Sequence, residues 1–240
     1  MSEFNRSNVY AGTGDSLRTY MTKVFMKMAA GLGVTALTSF ACYLSLISGG
    51  IVYQILSGGM VFSLILLFVQ LGLCVALTAG ITRFSTGTAT LLFYAYAALT
   101  GLTFSTFPVY YGVNTMFTAF LFCAVLFVCC AIIAHNTNID MTQFRGILSA
   151  GLITLLIVTI ASLFIPVLRE SLAISYLGVI IFLFYTVYDV QKIKAFYYAA
   201  AGDERMSGNL AVYGAFELYL DFINLFIRII SILGRRNSRD

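Results

Sequence analysis

Three long runs without a charged residue constrain this chain more than any other feature of its sequence. No Asp, Glu, Lys or Arg occurs in residues 28–82, 84–139 or 146–168. A helix needs about 20 apolar residues to cross the roughly 30 Å hydrocarbon core of a bilayer, so each run is long enough for at least one crossing. With 60% hydrophobic and only 10% charged residues, the composition also lies outside the range of soluble globular domains.

The apolar sequence divides into seven stretches, each long enough to cross the membrane as a helix. Spanning strands would alternate polar and apolar side chains, whereas these stretches are apolar on all sides, so we expect an all-α integral membrane protein. The seven predicted crossings are 27–48, 54–79, 88–107, 112–134, 147–168, 172–193 and 210–233. The expected organisation is a cytoplasmic tail at 1–26, a seven-helix transmembrane domain at 27–234 and a basic tail at 235–240.

Basic residues predict the orientation of these crossings, because short cytoplasmic connectors keep an excess of Lys and Arg. A cytoplasmic amino terminus places nine of them inside and four outside. The nine are Arg6, Arg18, Lys23, Lys27, Arg83, Arg145, Lys192, Lys194 and Arg205, and the four are Arg169, Arg235, Arg236 and Arg239. The basic tail is discordant, because seven crossings place it outside, whereas a re-entrant last segment would return it to the cytoplasm. Contact with the bilayer accounts for the net charge of +4, so we expect no nucleic-acid partner.

Ionisable residues inside the predicted helices carry the functional signal, because each costs roughly 2.5–3.5 kcal/mol at a helix centre. In the last helix, four polar residues fall on one stripe about 60° wide at 100° per residue. They are Glu217, Asp221, Asn224 and Arg228. Such a stripe is expected where a helix lines an aqueous cavity or a polar bundle core. Arg228 is then either an arginine that snorkels to the headgroups or an electropositive plug.

Asp189 lies near the cytoplasmic end of the sixth predicted helix, on one face with Tyr185 and Lys192. It either pairs with Lys192 or Lys194 near the headgroups, or it faces Asp221 of the last helix. The predicted boundaries place Asp221 near the middle of the membrane and Asp189 about one turn from its helix end, which leaves a difference in depth between the two carboxylates.

Two strings in the carboxyl-terminal part of the chain resemble those of a known family. YDVQKIK at 188–194 and LYLDFINLFIRIISILG at 218–234 are similar to the carboxyl-terminal signature of the Bax inhibitor-1, or transmembrane Bax inhibitor motif, family. Weaker matches occur in order along the earlier chain, at 23–33, at Arg83 and in the TGLTFSTFP stretch at 100–108. The resemblance therefore covers most of the chain.

The resemblance implies a bundle in which the seventh helix is wrapped by the other six and which forms a calcium-permeable, pH-sensitive leak pathway. It also implies that Asp189 and Asp221 form the proton sensor and that Arg83 associates with this pair. The short tails are typical of a bacterial member, so the expected location is the bacterial cytoplasmic membrane.

A pair of carboxylates suits such a sensor, because two like charges held close in a low dielectric cannot both ionise cheaply. With one shared proton, Asp189 and Asp221 can hydrogen-bond and hold two helices together. Without a proton they repel each other and offer hard oxygen ligands for Ca²⁺, so deprotonation is expected to open the pathway. Glu217 and Asn224 are candidate extensions of the ion path, although Glu217 alternatively pairs with surface cations. Ca²⁺ is the expected transported or bound ion, and no other cofactor is expected.

The sequence lacks the residues that other classes of membrane protein would need. An intramembrane aspartyl protease would need Gly-x-Gly-Asp at its second aspartate, but Asp221 stands in Tyr-Leu-Asp-Phe-Ile-Asn. A retinal protein would need a lysine in its last helix, and the last predicted helix has none. A rhomboid protease would need a histidine base beside a membrane serine, but the single histidine, His135, lies at a helix end. We therefore expect no enzyme. Two alternatives stay open: a non-transporting regulator that binds a membrane-anchored protease, and a proton–cation exchanger.

Small residues predict where the helices pack closely. Ala97 and Gly101 have the small-xxx-small spacing that permits close approach of two membrane helices, and Gly31 and Gly33 form a second small pair. All five cysteines fall inside predicted crossings, where thiols usually pack as small apolar groups.

Overall fold

Every regular element in the described part of the chain is a helix. The computed structural model describes residues 3–56, 59–81, 83–137, 139–162, 165, 171–200 and 203–237. The helices are α1 (Glu3–Ile47), α2 (Ile51–Leu56), α3 (Gly59–Gly80), α4 (Thr86–Phe104), α5 (Phe107–Tyr111), α6 (Val113–Asn136), a 3₁₀ helix (Met141–Phe144), α7 (Arg145–Ala161), α8 (Leu172–Ala199) and α9 (Glu204–Asn237). The all-α prediction is confirmed for these residues.

Within the described residues, five helical segments are long and apolar enough to cross a membrane. They are Leu17–Ile47, Thr86–Tyr111, Val113–Asn136, Met141–Ala161 and Leu172–Ala199, which correspond to the first and the third to sixth predicted crossings. The second predicted crossing overlaps a shorter apolar helix, Leu64–Gly80. The last overlaps α9, which is not one of the five. A total of seven crossings, with the seventh helix at the centre, therefore stays a prediction.

The chain forms two compact units. The first unit comprises Met1–Thr106 and Ile193–Tyr219, and the second comprises Phe107–Lys192 and Leu220–Asp240. The first therefore holds α1 to α4, the end of α8 and the beginning of α9. The second holds α5 to α7, most of α8 and the remainder of α9.

In the first unit, α1 packs against α4 at glycines that leave no room for a side chain. A Cβ atom on Gly31 would lie 2.6 Å from Cζ of Phe93, and a Cβ atom on Gly101 would lie 2.6 Å from the backbone oxygen of Thr35. Real Cβ atoms essentially never approach other heavy atoms this closely. The predicted small-residue contact is thus present at Gly101, where it brings two helix backbones together.

A buried hydroxyl pair joins α9 to this contact. The Thr35 hydroxyl donates to the backbone oxygen of Ala97 at 2.9 Å, and its oxygen lies 2.7 Å from the Tyr219 hydroxyl. Since the Thr35 proton is used on the carbonyl, the Tyr219 hydroxyl is the donor of the second bond. The Tyr219 ring also packs edge-on against Phe93, with ring centroids 5.4 Å apart. These bonds fix α1, α4 and α9 against one another.

Asn209 anchors the beginning of α9 to the turn between α3 and α4. Its side chain is 3% exposed. The amide nitrogen donates to the backbone oxygens of Ile81 at 2.8 Å and Phe84 at 2.9 Å, and the amide oxygen accepts from the Thr86 hydroxyl at 2.7 Å. One side chain thus satisfies two backbone carbonyls that follow α3.

Replacing Asn209 with alanine is expected to lower the free energy of unfolding by about 2–4 kcal/mol, because it removes three hydrogen bonds and leaves the buried Ile81 carbonyl without this donor. Unfolding in mixed detergent micelles measures the change. Asn114, an exposed residue of α6, provides the matched control, and its replacement with alanine should change stability by less than about 0.5 kcal/mol. Equal effects of the two substitutions would contradict the anchoring role of Asn209.

In the second unit, α6 packs against α9 around Phe222. The Cys123 thiol donates to the backbone oxygen of Phe222 at 3.4 Å, and the Phe222 ring lies 5.5 Å from Phe120 and 5.8 Å from Phe127 between centroids. Cys123 is fully buried, as expected for a packing thiol. This apolar contact holds Phe222, the residue that directly follows Asp221, in place.

Candidate ion-conducting site

The two aspartates singled out from the sequence are both buried in the second unit. Asp189 of α8 is 6% exposed and Asp221 of α9 is 5% exposed. Burial of an ionised carboxylate is costly unless cations, hydrogen bonds or a proton compensate it. Two buried aspartates on neighbouring membrane helices are therefore a candidate functional site.

Contacts in the second unit show that α8 and α9 run antiparallel. Gly178 of α8 lies against the side chain of Arg228. Seven residues further along α8, Tyr185 is within electrostatic range of Asp221, which lies seven residues before Arg228 on α9. Asp189 follows Tyr185 by four residues, so the two aspartates differ in level by about one turn, or roughly 6 Å.

Tyr185 connects both aspartates to a third helix. Its hydroxyl lies near the Ser149 side chain of α7 and near both Asp189 and Asp221. The sequence places Tyr185 on the same helix face as Asp189 but gives no indication of Ser149. The only local sign of Ser149 as a site residue is its position in an apolar run, and several other serines also lie in apolar runs. The site therefore draws on α7, α8 and α9.

In the described part of the chain, Lys192 forms an ion pair with Asp189. Its Nζ atom lies 4.0 Å from Oδ1 of Asp189, one turn earlier on α8, and 6.0 Å from the centroid of the Tyr188 ring. The lysine side chain is 28% exposed, so water reaches it. A pair of this length and exposure is weak.

The α6 side of the site is apolar. Cys130 is buried and lies within electrostatic range of Asp221, and Phe127, one turn earlier, is also buried. Phe127 offers no hydrogen-bond donor, and the Cys130 thiol offers only a weak one. On the α6 side, Asp221 therefore faces largely apolar side chains.

Gln191 fixes the loop between α6 and the 3₁₀ helix beside the Asp189 end of α8. Its amide nitrogen donates to the backbone oxygen of Ile139, and its amide oxygen accepts from the backbone N–H of Met141, both at 2.9 Å. The residue between them, Asp140, caps the 3₁₀ helix by accepting from the Thr142 N–H at 2.9 Å. Two side chains thus hold the backbone at Ile139, Met141 and Thr142 in place.

Asp140 gives a prediction for stability in acid. Hydrogen bonds from the Thr142 side chain and then from its backbone lower the pKa of Asp140 below its ordinary value. Because the pKa is lowered in the folded state, the stabilisation is present at neutral pH and is lost as the pH falls below about 4. The wild type should therefore have a higher melting temperature than Asp140→Asn at pH 7, and the difference should vanish in acid. A difference that stays constant from pH 7 to pH 3 would refute this cap.

The other residues predicted for the site lie in both units. Arg83 belongs to the first unit, where its side chain is exposed and its backbone oxygen accepts from Arg205 at 2.9 Å. Glu217 is half-buried in the first unit. Asn224 is half-buried in the second unit, and its amide donates to the backbone oxygen of Leu220 at 2.8 Å.

The described side chains contain no group of three or more His, Cys, Asp or Glu residues arranged to hold a metal ion. Ca²⁺ takes six to eight oxygen ligands, so Asp189 and Asp221 could provide only a minority of them. Such a pair suits a cation that passes through the site with part of its water shell.

Comparisons with known proteins agree with the resemblance of the two carboxyl-terminal strings. Residues 17–238 match the family described as Inhibitor of apoptosis-promoting Bax1. The chain is 34% identical over 239 residues to inner membrane protein YbhL of Escherichia coli, covering 98% of this chain and 100% of that protein. It is 34% identical over 229 residues to an uncharacterized protein of Rickettsia prowazekii, covering 93% and 92% of the two chains. It is 32% identical over 237 residues to an uncharacterized membrane protein of Streptococcus pyogenes, covering 95% and 98%. This chain belongs to the Bax inhibitor family of membrane proteins.

Proposed function

We propose that this protein is a calcium-permeable leak pathway whose opening is controlled by a proton on Asp189 and Asp221. The observation that supports this function is the burial of both carboxylates on antiparallel helices, about one turn apart in level and both near Tyr185. The protein carries out no covalent chemistry in this proposal, and the bilayer, Ca²⁺ and protons are its partners.

The proton acts on the contact between α8 and α9. At low pH the two carboxyl groups share a proton and attract each other, because a protonated carboxyl donates a hydrogen bond to its neighbour. Loss of that proton leaves two negative charges in an apolar environment, and their repulsion is strong because little water screens it. The helices then separate at this level, and the pathway opens.

The same change prepares the site for a cation. Two ionised carboxylates attract Ca²⁺, and the cation relieves their repulsion in place of the proton. Protons and calcium therefore compete for one site. Lys192, at 4.0 Å from Asp189, carries a fixed positive charge that weakens the affinity for calcium and favours release.

The proposed topology is a bundle of seven crossings with α9 at its centre. Support comes from residues of α9 that are buried on more than one face of the helix: Ala211, Val212, Ala215, Phe216, Leu218, Tyr219, Phe222, Ile223, Leu225, Phe226, Ile229 and Ile230. A helix at the lipid surface would bury only one stripe. The excess of basic residues in alternate connectors favours a cytoplasmic amino terminus, and the inner membrane relative in Escherichia coli favours the bacterial cytoplasmic membrane.

Three further residues have secondary roles in this proposal. Glu217 and Asn224 lie on the same face of α9 as Asp221 and extend the ion path on either side of it. Arg83 is assigned to the gate only through the family resemblance, and that assignment stays a prediction.

Calcium flux in liposomes tests the proposed function. The purified full-length chain is reconstituted with a calcium indicator inside the vesicles, and influx is measured from pH 5.5 to pH 8.5. The proposal expects influx that rises with pH. Absence of influx at every pH would overturn it and would favour a non-transporting regulator. Influx that builds a pH gradient, rather than merely responding to pH, would favour proton–cation exchange.

A further inference from the structure

Arg228 is a half-buried arginine of α9 that two neighbouring helices of the second unit hold in place. Its Nη2 atom donates to the Thr159 hydroxyl oxygen of α7 at 3.0 Å. The Thr159 hydroxyl uses its own proton on the backbone oxygen of Leu155 at 2.7 Å, so its lone pairs face the guanidinium. Thr159 is thus oriented as an acceptor for this arginine.

Gly178 of α8 provides the space for the arginine side chain. A Cβ atom on this buried glycine would lie 2.9 Å from both Cδ and Nε of Arg228. Any larger residue at this position would push the arginine away from α8. The aliphatic part of the side chain therefore lies over the glycine, and the guanidinium reaches Thr159 in a defined position.

The charge of Arg228 is not balanced by a nearby carboxylate. Among the described residues, the guanidinium of Arg228 has no carboxylate partner within 4 Å, and its polar contact is the Thr159 hydroxyl. An arginine remains charged at neutral pH, so Arg228 acts on its surroundings as a fixed positive charge. It lies on the same face of α9 as Asp221, two turns and about 10 Å further along the helix.

We propose that Arg228, positioned by Thr159 and Gly178, is an electrostatic barrier that limits cation passage and discriminates by charge. The barrier rests on the proposed function, because it lies next to the aspartates on the polar face that lines the pathway. A cation that leaves the aspartates toward the carboxyl-terminal part of α9 must pass this charge. The barrier therefore keeps the flux of cations through the pathway slow.

The height of such a barrier is proportional to the charge of the ion. If removing the barrier raises the flux of a monovalent cation by some factor, it therefore raises the flux of a divalent cation by the square of that factor. We expect Arg228→Gln to raise Ca²⁺ flux roughly tenfold and K⁺ flux roughly threefold. Arg228→Lys keeps the charge, so its ratio of Ca²⁺ to K⁺ flux should stay near that of the wild type.

The test measures both fluxes in proteoliposomes of the full-length wild type, Arg228→Gln and Arg228→Lys. A ratio of Ca²⁺ to K⁺ flux that rises in Arg228→Gln and not in Arg228→Lys supports the barrier. An unchanged ratio in Arg228→Gln overturns it, whether both fluxes stay the same, as for a snorkelling arginine, or rise equally, as for a damaged fold.

The outcomes also separate the barrier from the function on which it rests. A wild type that conducts calcium, together with an unchanged ratio in Arg228→Gln, overturns the barrier alone. A wild type that conducts no calcium at any pH overturns the proposed function, and an equally silent Arg228→Gln then overturns the barrier as well.

Discussion

Replacing Asp189 and Asp221 together with asparagine is expected to abolish the pH dependence of calcium flux and to hold the flux at the low level of the protonated wild type. Asparagine has nearly the same shape as a protonated aspartate but cannot ionise. The repulsion that separates α8 and α9 then never arises. A single titrating proton changes the open population by up to about tenfold per pH unit, so at pH 8 the double variant should conduct at least about ten times less than the wild type.

Asp140→Asn is the matched control for this substitution. It removes the charge of an aspartate that caps the 3₁₀ helix outside the site, and its flux should keep the full response to pH. Calcium influx is measured for the three proteins across the same pH series. If the double variant kept the pH response of the wild type, the assignment of the proton sensor to Asp189 and Asp221 would fail.

Replacing Gly101 with alanine is expected to have a large effect on stability, lowering the free energy of unfolding by about 2–4 kcal/mol. The new Cβ atom would overlap the hydroxyl oxygen of Thr38 and lie 2.6 Å from the backbone oxygen of Thr35. A side chain can rotate away, but the backbone oxygen moves only if α1 moves. The methyl group therefore forces α1 and α4 apart and disturbs the Thr35 bond to Tyr219.

Gly33→Ala is the control, because it makes the same change on the same packed pair of helices in open space. No heavy atom lies within 4 Å of a Cβ atom built at Gly33, and alanine favours a helix over glycine by about 0.8–1.0 kcal/mol. This variant should be as stable as the wild type or slightly more stable in mixed detergent micelles. Equal destabilisation by both alanines would show that the loss does not come from the close contact at Gly101.

The sequence predicts the helical regions well, because long uncharged runs have few alternatives in a bilayer. It predicts the helix ends less well. The last predicted crossing, 210–233, lies within α9 at Glu204–Asn237, and the sixth, 172–193, lies within α8 at Leu172–Ala199. Charged and polar residues mark the headgroup region, but they do not stop backbone hydrogen bonding, so helices continue past the apolar stretch.

The candidate site is predictable only where its pattern is local. The polar stripe of α9 follows from the helical period, and it correctly places Asp221 and Arg228 on one face. The contacts that give these residues their positions come from distant parts of the chain. Neither the Thr159 hydroxyl nor the space above Gly178 leaves a periodic signal. The level of Asp189 relative to Asp221 likewise depends on the register of two helices, which the sequence of either helix does not contain.

Calcium flux against pH in the two single variants, Asp189→Asn and Asp221→Asn, tests the central claim most directly when it is compared with the double variant. If the aspartates share one proton, removing either one destroys the sensor, so each single variant should lose the pH response as completely as the double variant. If each single variant instead kept about half of the response and the two losses added up in the double variant, the aspartates would titrate independently and the shared-proton gate would be wrong.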